Sequence, residues 1–296
     1  MRLHILHETR YDYAPAVDRA RHIVHLKPRN TVSQTLLQHR LSVSPEVSSL
    51  TDRIDVYGNT RTSFALQTPH DGLCVVADSI VETAPPPAMQ PGASMAWEAV
   101  RDRFRYRAGG VWDPAAEFVF PSEYAPRHDD FAEYARPVFS PGVPVLDAAE
   151  ALMRRIHADF IYESDSTGVN TPAVEALAQR RGVCQDFAHI MVACCRALGV
   201  PARYVSGYLL TQPPPGQPRL VGSDASHAWV SVYAPALDGS AGGAWHDFDP
   251  TNDRQPGEDY VTIAYGRDFG DVSPMRGLLH GGGDHTLEVA VTVEPV

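Results

Sequence analysis

The run Ala84-Pro85-Pro86-Pro87, continued as far as Pro91-Gly92, does most to limit the fold of this chain. Proline has no backbone N–H and a fixed φ, so this stretch can neither extend a strand nor begin a stable helix. A boundary falls there, with residues 1–88 as one unit and 89–296 as another. Before it, Leu3, Ile5, Thr9, Tyr11 and Tyr13 share one parity, and His4, Glu8, Arg10 and Asp12 share the other. That alternation predicts a half-buried strand. Further strands are predicted at 19–27, 34–43, 60–67 and 73–82, punctuated by Lys27-Pro28-Arg29-Asn30, Ser44-Pro45, Gly58-Asn59 and His70-Asp71-Gly72. Short strands at this spacing suggest a small β-sandwich.

Beyond the prolines the period changes. Residues 94–103 read as a short helix, and from Val145 the positions Leu146, Ala149, Leu152, Met153 and Ile156 recur at helix spacing. Thr171 before Pro172 has the form of a capping side chain followed by a proline at the first helical position. Phe187, Ile190, Met191, Cys194 and Leu198 mark one face of a further helix, which begins near Cys184 and is stopped by Gly199 and Pro201. Strands are predicted at 202–210, 227–233, 245–249 and, last, 287–293, with Pro213-Pro214-Pro215-Gly216 as a loop. The fold class is α+β.

Composition narrows the function. The chain has 296 residues, 44% hydrophobic and 21% charged, as in an ordinary soluble protein. A formal charge of −11 argues against nucleic acid or an anionic membrane surface as partner. The opening Met-Arg-Leu-His-Ile-Leu-His-Glu lacks the apolar core of a signal peptide, and no stretch approaches the roughly 20 apolar residues of a membrane span. The four cysteines, Cys74, Cys184, Cys194 and Cys195, contain no C-x-x-C spacing, which excludes a zinc knuckle or a thioredoxin-like motif. A reducing cytoplasm, where a free thiol stays usable, is the simplest location.

Cys184 stands apart from the other three. It lies in Arg181-Gly182-Val183-Cys184-Gln185-Asp186-Phe187-Ala188, at the start of the predicted helix. A nucleophilic cysteine acts as the thiolate, and a helix N-terminus carries roughly half a positive charge together with unsatisfied N–H groups. His227 opens a strand on the face opposite Ala228, Val230 and Val232, where an imidazole can reach a cleft. Asp249, before Pro250, can accept from the far nitrogen of that ring, and Asp247 is its rival on the same strand. Together these are the parts of a Cys-His-Asp nucleophilic site.

The stretches Gly182–Ala188, Arg196–Tyr208, His227-Ala228-Trp229-Val230 and Asp249-Pro250-Thr251 resemble the bacterial transglutaminase-like superfamily. Members of that group are often described as cysteine proteases. Val56-Tyr57-Gly58-Asn59 and Pro69-His70 are similar to its N-terminal β-domain, and Ala264–Asp268 with Asp271–Pro274 match its tail. The resemblance implies a papain-like transglutaminase core behind a β-sandwich-like domain, with Cys184, His227 and Asp249 as the triad, and it favours Asp249 over Asp247. It also implies an amide-cleaving protease or amidase working through a thioester acyl-enzyme on a protein or peptide substrate. The alternatives are a crosslinking protein-glutamine acyltransferase and a non-catalytic peptide-binding module.

Tyr162, aligned with an aromatic position upstream of the family's cysteine, Gln185 and Trp229 are the further candidates for the oxyanion hole or the cleft. Asp186 is expected to be structural, and Arg267 and Asp268 to form an ion pair. His280-Gly281-Gly282-Gly283-Asp284-His285 reads as a glycine loop rather than a metal site. The family's animal members use calcium, but no EF-hand-like loop occurs here, and no cofactor is expected. Oligomeric state is not determined by any of these features.

Overall fold

A computed structural model describes residues 1–108, 112–163, 168, 171–211, 226–238 and 242–296, so the proline loop expected at 213–216 lies outside the described residues. In the N-terminal part, β1 (Arg2–Val24), β2 (Gln34–Ser44), β3 (Thr51–Ile54), β4 (Thr60–Leu66) and β5 (His70–Thr83) follow one another. Next come α1 (Trp97–Phe104), a 3-10 turn (Pro114–Val119), α2 (Asp129–Ala135), α3 (Val145–Asp159), β6 (Ile161–Tyr162), α4 (Ala173–Gln179), β7 (Arg181–Gly182) and α5 (Cys184–Ala197). The chain ends with β8 (Ala202–Leu209), β9 (Ser226–Pro235), β10 (Gly243–Phe248), β11 (Tyr260–Gly266), α6 (Phe269–Val272), β12 (Met275–Gly281) and β13 (Asp284–Pro295).

The N-terminal sheet is organised around β1. Residues 3–13 and 19–27, expected as two strands, run as one bent strand whose register shifts near Pro15, where an irregularity accommodates the missing N–H. The first half of β1 pairs with β5 and β13, the second with β4 and β12. The two halves enclose Tyr13, Val17, Val24, Phe64, Leu66 and Val75, which gives the sandwich-like packing within one continuous sheet.

The division at residue 88 does not describe the C-terminus. β12 and β13, assigned from sequence to the second unit, both join the N-terminal sheet by pairing with β1. The glycine run forms the corner between them, opposite the bend in β1. Gly281 and Gly282 have φ of 77° and 78°, and a Cβ on either would meet Asp18 or Val17 at 2.7 Å. Leu3, Ile5, Val81, Val291 and Val293 of the sheet then share one core with Leu152, Ile190, Met191, Val230 and Val261.

The other sheet runs β10-β9-β8-β11, antiparallel throughout, with α5 packed against β8 and β9. Only one apolar face of α5 was expected, yet Phe187 through Arg196 are all buried, as in a helix enclosed on every side. Its polar members find partners: His189 accepts from the Phe269 N–H at 3.1 Å, and Arg196 donates to the carbonyls of Phe118 and Ala202. The expected Thr171 cap does not form. Thr171 Oγ1 accepts from the Gly168 N–H, and Pro172, in extended conformation, occupies the position before α4.

Side chains from the N-terminal sheet finish the outer edge of β11. Gln34 bonds both the N–H and the C=O of Thr262, each at 2.8 Å, and Asn59 does the same for Tyr265 at 2.8 and 2.7 Å. Two amides thus take the place of a further strand on a row of backbone groups that would otherwise lie unpaired.

Candidate active site

Cys184 is the first residue of α5, after Val183 in extended conformation. Asp186 is almost fully buried, and its Oδ2 accepts from the Val183 N–H at 2.8 Å, which fixes where the helix begins. Its expected structural role is therefore visible as a cap. The thiol is half-buried at the positive end of the helix. Cys194 and Cys195 lie deep in the core, where burial pushes the Cys194 thiol far up and the Cys195 thiol to about 12.

His227 is the second residue of β9 and is paired with Gly207 of β8. A Cβ at Gly207 would sit 2.1 Å from the Val261 carbonyl and 2.4 Å from the Trp229 ring, so only glycine lets Trp229 lie across these strands. Trp229 is fully buried and stacks on His227 at 6.1 Å, so it supports the imidazole rather than walling an open cleft. Tyr260 closes the other side, its ring 6.0 Å from the imidazole and 5.3 Å from the indole.

Asp249 follows β10 and is fully buried. Its Oδ2 accepts from His227 Nε2 at 2.7 Å, Tyr260 Oη at 2.6 Å and Asn252 Nδ2 at 2.7 Å. Its Oδ1 accepts from the N–H groups of Thr251 at 2.9 Å and Asn252 at 3.3 Å. Burial opposes the charge, but these donors outweigh it and hold the carboxyl below its usual range. Asp247 points elsewhere: it accepts from Trp229 Nε1 at 3.1 Å and from the Ser231 hydroxyl.

With Nε2 committed to Asp249, Nδ1 is the imidazole nitrogen left for Cys184. Burial alone would lower the His227 pKa. Hydrogen bonds to Asp249 and to the Cys184 sulfur, with the charges of both, instead push it up to about 10. The chain thus brings together Cys184, His227 and Asp249, and it adds Tyr260 and Asn252, which sequence reasoning missed. Asn252 lies just past the Asp-Pro-Thr turn, whereas Tyr260 opens a mostly apolar run, Tyr260-Val261-Thr262-Ile263-Ala264, with no motif to mark it.

The remaining candidates lie nearby in different settings. Tyr162, in β6 opposite Gly182, is 53% exposed, and its phenol pKa is raised by partial burial and by the neighbouring Cys184. Gln185 is half-buried in the first turn of α5. Arg267 pairs with Asp271 at 2.8 Å and not with Asp268, which caps α6 and accepts from the Tyr124 N–H at 2.9 Å. Among the described residues no three His, Cys, Asp or Glu side chains converge into a metal-binding group.

Residues 3–82 match the bacterial transglutaminase-like N-terminal region, and residues 132–250 match the transglutaminase-like superfamily core, the segment that holds Cys184, His227 and Asp249. An uncharacterized protein of Mycobacterium tuberculosis is 39% identical, with 99% of this chain and 93% of that protein covered. The chain belongs to the transglutaminase-like superfamily. A second relative, an uncharacterized protein of Mycobacterium leprae, is 32% identical over 99% of this chain and 98% of its own length. A protein-glutamine gamma-glutamyltransferase of Pseudomonas aeruginosa is 32% identical over 36% of this chain and 16% of that protein. The fold is shared with a solved structure named "Putative Cysteine Protease" from Cytophaga hutchinsonii, at a TM-score of 0.71 and 23% identity, covering 98% of this chain and 90% of that one. Among the described residues no helix is long and apolar enough to cross a membrane.

Proposed function

We propose that this transglutaminase-like protein is a cysteine protease or amidase that cleaves an amide bond of a protein or peptide through a thioester acyl-enzyme. The observation that carries this reading is the imidazole of His227 held between the Cys184 sulfur and the Asp249 carboxylate. Cys184 attacks the amide carbonyl while His227 takes up the thiol proton through Nδ1. Collapse of the tetrahedral intermediate breaks the C–N bond, and His227 returns the proton to the departing amine. Water, deprotonated by the same imidazole, then releases the acid and restores the thiol. Asp249 holds the ring and stabilises its charged form throughout.

In this reading backbone N–H groups in the first turn of α5 receive the oxyanion, and Tyr162, close enough to Cys184 to feel its charge, assists them. A reducing compartment such as the cytoplasm keeps the thiol usable. The partial likeness to a protein-glutamine gamma-glutamyltransferase favours a second outcome, in which a primary amine and not water resolves the thioester.

The test is iodoacetamide labelling read by mass spectrometry. Cys184 should react much faster than Cys74, Cys194 and Cys195, and His227→Ala should remove the difference. Equal, slow labelling of every accessible thiol would sink the enzyme reading in favour of a binding module. Trapping adducts on Cys184 from a library of electrophilic peptides identifies the substrate class. A primary amine added to the turnover assay distinguishes acyl transfer from hydrolysis.

A further inference from the structure

The far end of α5 opens onto a cleft of about 460 Å³ that the proposed chemistry does not use. It adjoins Ala197, Leu198 and Gly199, roughly 20 Å along the helix from Cys184 at 1.5 Å per residue. An adjacent hollow shares Arg101, Val119 and Gly199 with it and adds Arg105, so the two form a continuous groove.

Among the described residues the cleft lining includes four arginines and no carboxylate, in a chain whose formal charge is −11. Arg196 forms the buried part, donating to the carbonyls of Phe118, Ala202 and Arg267 and to the Ser122 hydroxyl, all neutral partners. Arg101 bonds Asp102 at the outer surface and lies over the Trp97 ring at 5.2 Å. Arg127 and Arg136 are exposed, and among the described residues neither side chain has a hydrogen-bond or ion-pair partner.

The carbonyl end of α5 contributes about half a negative charge, which the guanidinium groups of Arg127 and Arg136 outweigh. Trp97 is half-buried and Phe120 is 57% exposed along the same groove, so apolar contact is offered next to the positive charge. An extended acidic chain with an apolar side chain fits this combination. A polyanion such as nucleic acid fits it less well, because the acidic remainder of the molecule repels it.

We propose that the groove docks an acidic peptide segment, with carboxylates on Arg127 and Arg136 and an apolar side chain against Trp97 and Phe120. This rests on the reading of the molecule as an enzyme acting on a protein or peptide, and the segment belongs to that substrate, away from the scissile bond. Guanidinium and carboxylate pair through two parallel hydrogen bonds, so unpaired arginines at an open groove give both affinity and register.

The test uses the full chain carrying Cys184→Ala and a fluorescein-labelled peptide of Glu, Asp and Phe, followed by anisotropy. Binding should weaken at least tenfold with Arg127→Ala and Arg136→Ala combined, weaken with added salt, and disappear when Gln and Asn replace the acidic residues. Equal binding of the amide peptide, or no effect of the double substitution, would overturn the proposal. So would displacement by a single-stranded oligonucleotide at lower concentration than by unlabelled peptide. Because Cys184→Ala removes the nucleophile, a failure here is separate from a failure of selective alkylation at Cys184.

Discussion

At Asp249 a single carboxylate oxygen receives three side-chain donors, from His227, Tyr260 and Asn252. Removing one hydrogen bond to a charged group costs about 1.5–3 kcal/mol. Tyr260→Phe should therefore slow iodoacetamide labelling of Cys184 at neutral pH by roughly 10- to 100-fold, with the pH dependence of labelling shifted as the imidazole loses its support. Asp249→Asn should do at least as much. Asp247→Asn should leave the labelling rate near that of the parent chain and lower stability instead, because its partners are Trp229 and Ser231. Comparing the Asp247 and Asp249 variants checks the assignment, and a larger loss from Asp247→Asn would reverse it. Cys184, His227 and Asp249 were legible because each sits where a helix or strand begins or ends, next to a recognisable break. The residues around them were not: Tyr260 and Gly207 act through close approach of strands distant in sequence, and no local pattern records that.

Strands whose burial alternates were legible from that period, whereas β8, β9 and β13, which do not alternate, were found from the breaks that flank them, and β3, β11 and β12 were missed. β5 alternates along most of its length, and the prediction at 73–82 lies within it. β3 is exposed along its four residues, and β11 is buried from Tyr260 through Ala264, so neither shows a period of two. β12 is also largely exposed and ends in glycine. For β11 the concealed element is also the one that carries Tyr260, and its outer edge depends on Gln34 and Asn59. Asn59→Ala leaves the N–H and C=O of Tyr265 without these partners, and Gln34→Ala leaves the Thr262 N–H without its own while the Thr262 C=O keeps the Arg29 N–H at 3.2 Å. Each should lower unfolding free energy by roughly 2–4 kcal/mol, measured by urea denaturation. A loss well under 1 kcal/mol would mean that water takes over these bonds. Because β11 also positions Tyr260, the same variants should slow labelling of Cys184, even though neither side chain belongs to the site.

Across the whole molecule, buried histidines make stability depend on pH in two opposite ways. Burial lowers the pKa of His7 and His22 to about 4 and of His189 to about 3. The unfolded chain then binds more protons than the folded one between pH 6.5 and those values, so stability should fall as pH drops through this window. For His227, raised to about 10, the contribution is complete below pH 6.5 and fades as pH rises towards 10. Thermal unfolding from pH 4 to 10 should show both limbs, and His227→Gln should reduce the alkaline one below pH 9, above which the buried Cys194 and Cys195 thiols also contribute. A profile with no acid limb would contradict the neutral burial of His7, His22 and His189. The least legible feature at this scale was the destination of the C-terminus, since strand pairing over more than 200 residues leaves no local trace. It has a consequence for synthesis. The strands that bear His227 and lead to Asp249 leave the ribosome while one edge of β1 still lacks both partners, and Val291 and Val293 reach the shared core after them. Until residues 284–295 emerge, that open edge is a site for mispairing between nascent chains, and β12 and β13 close it.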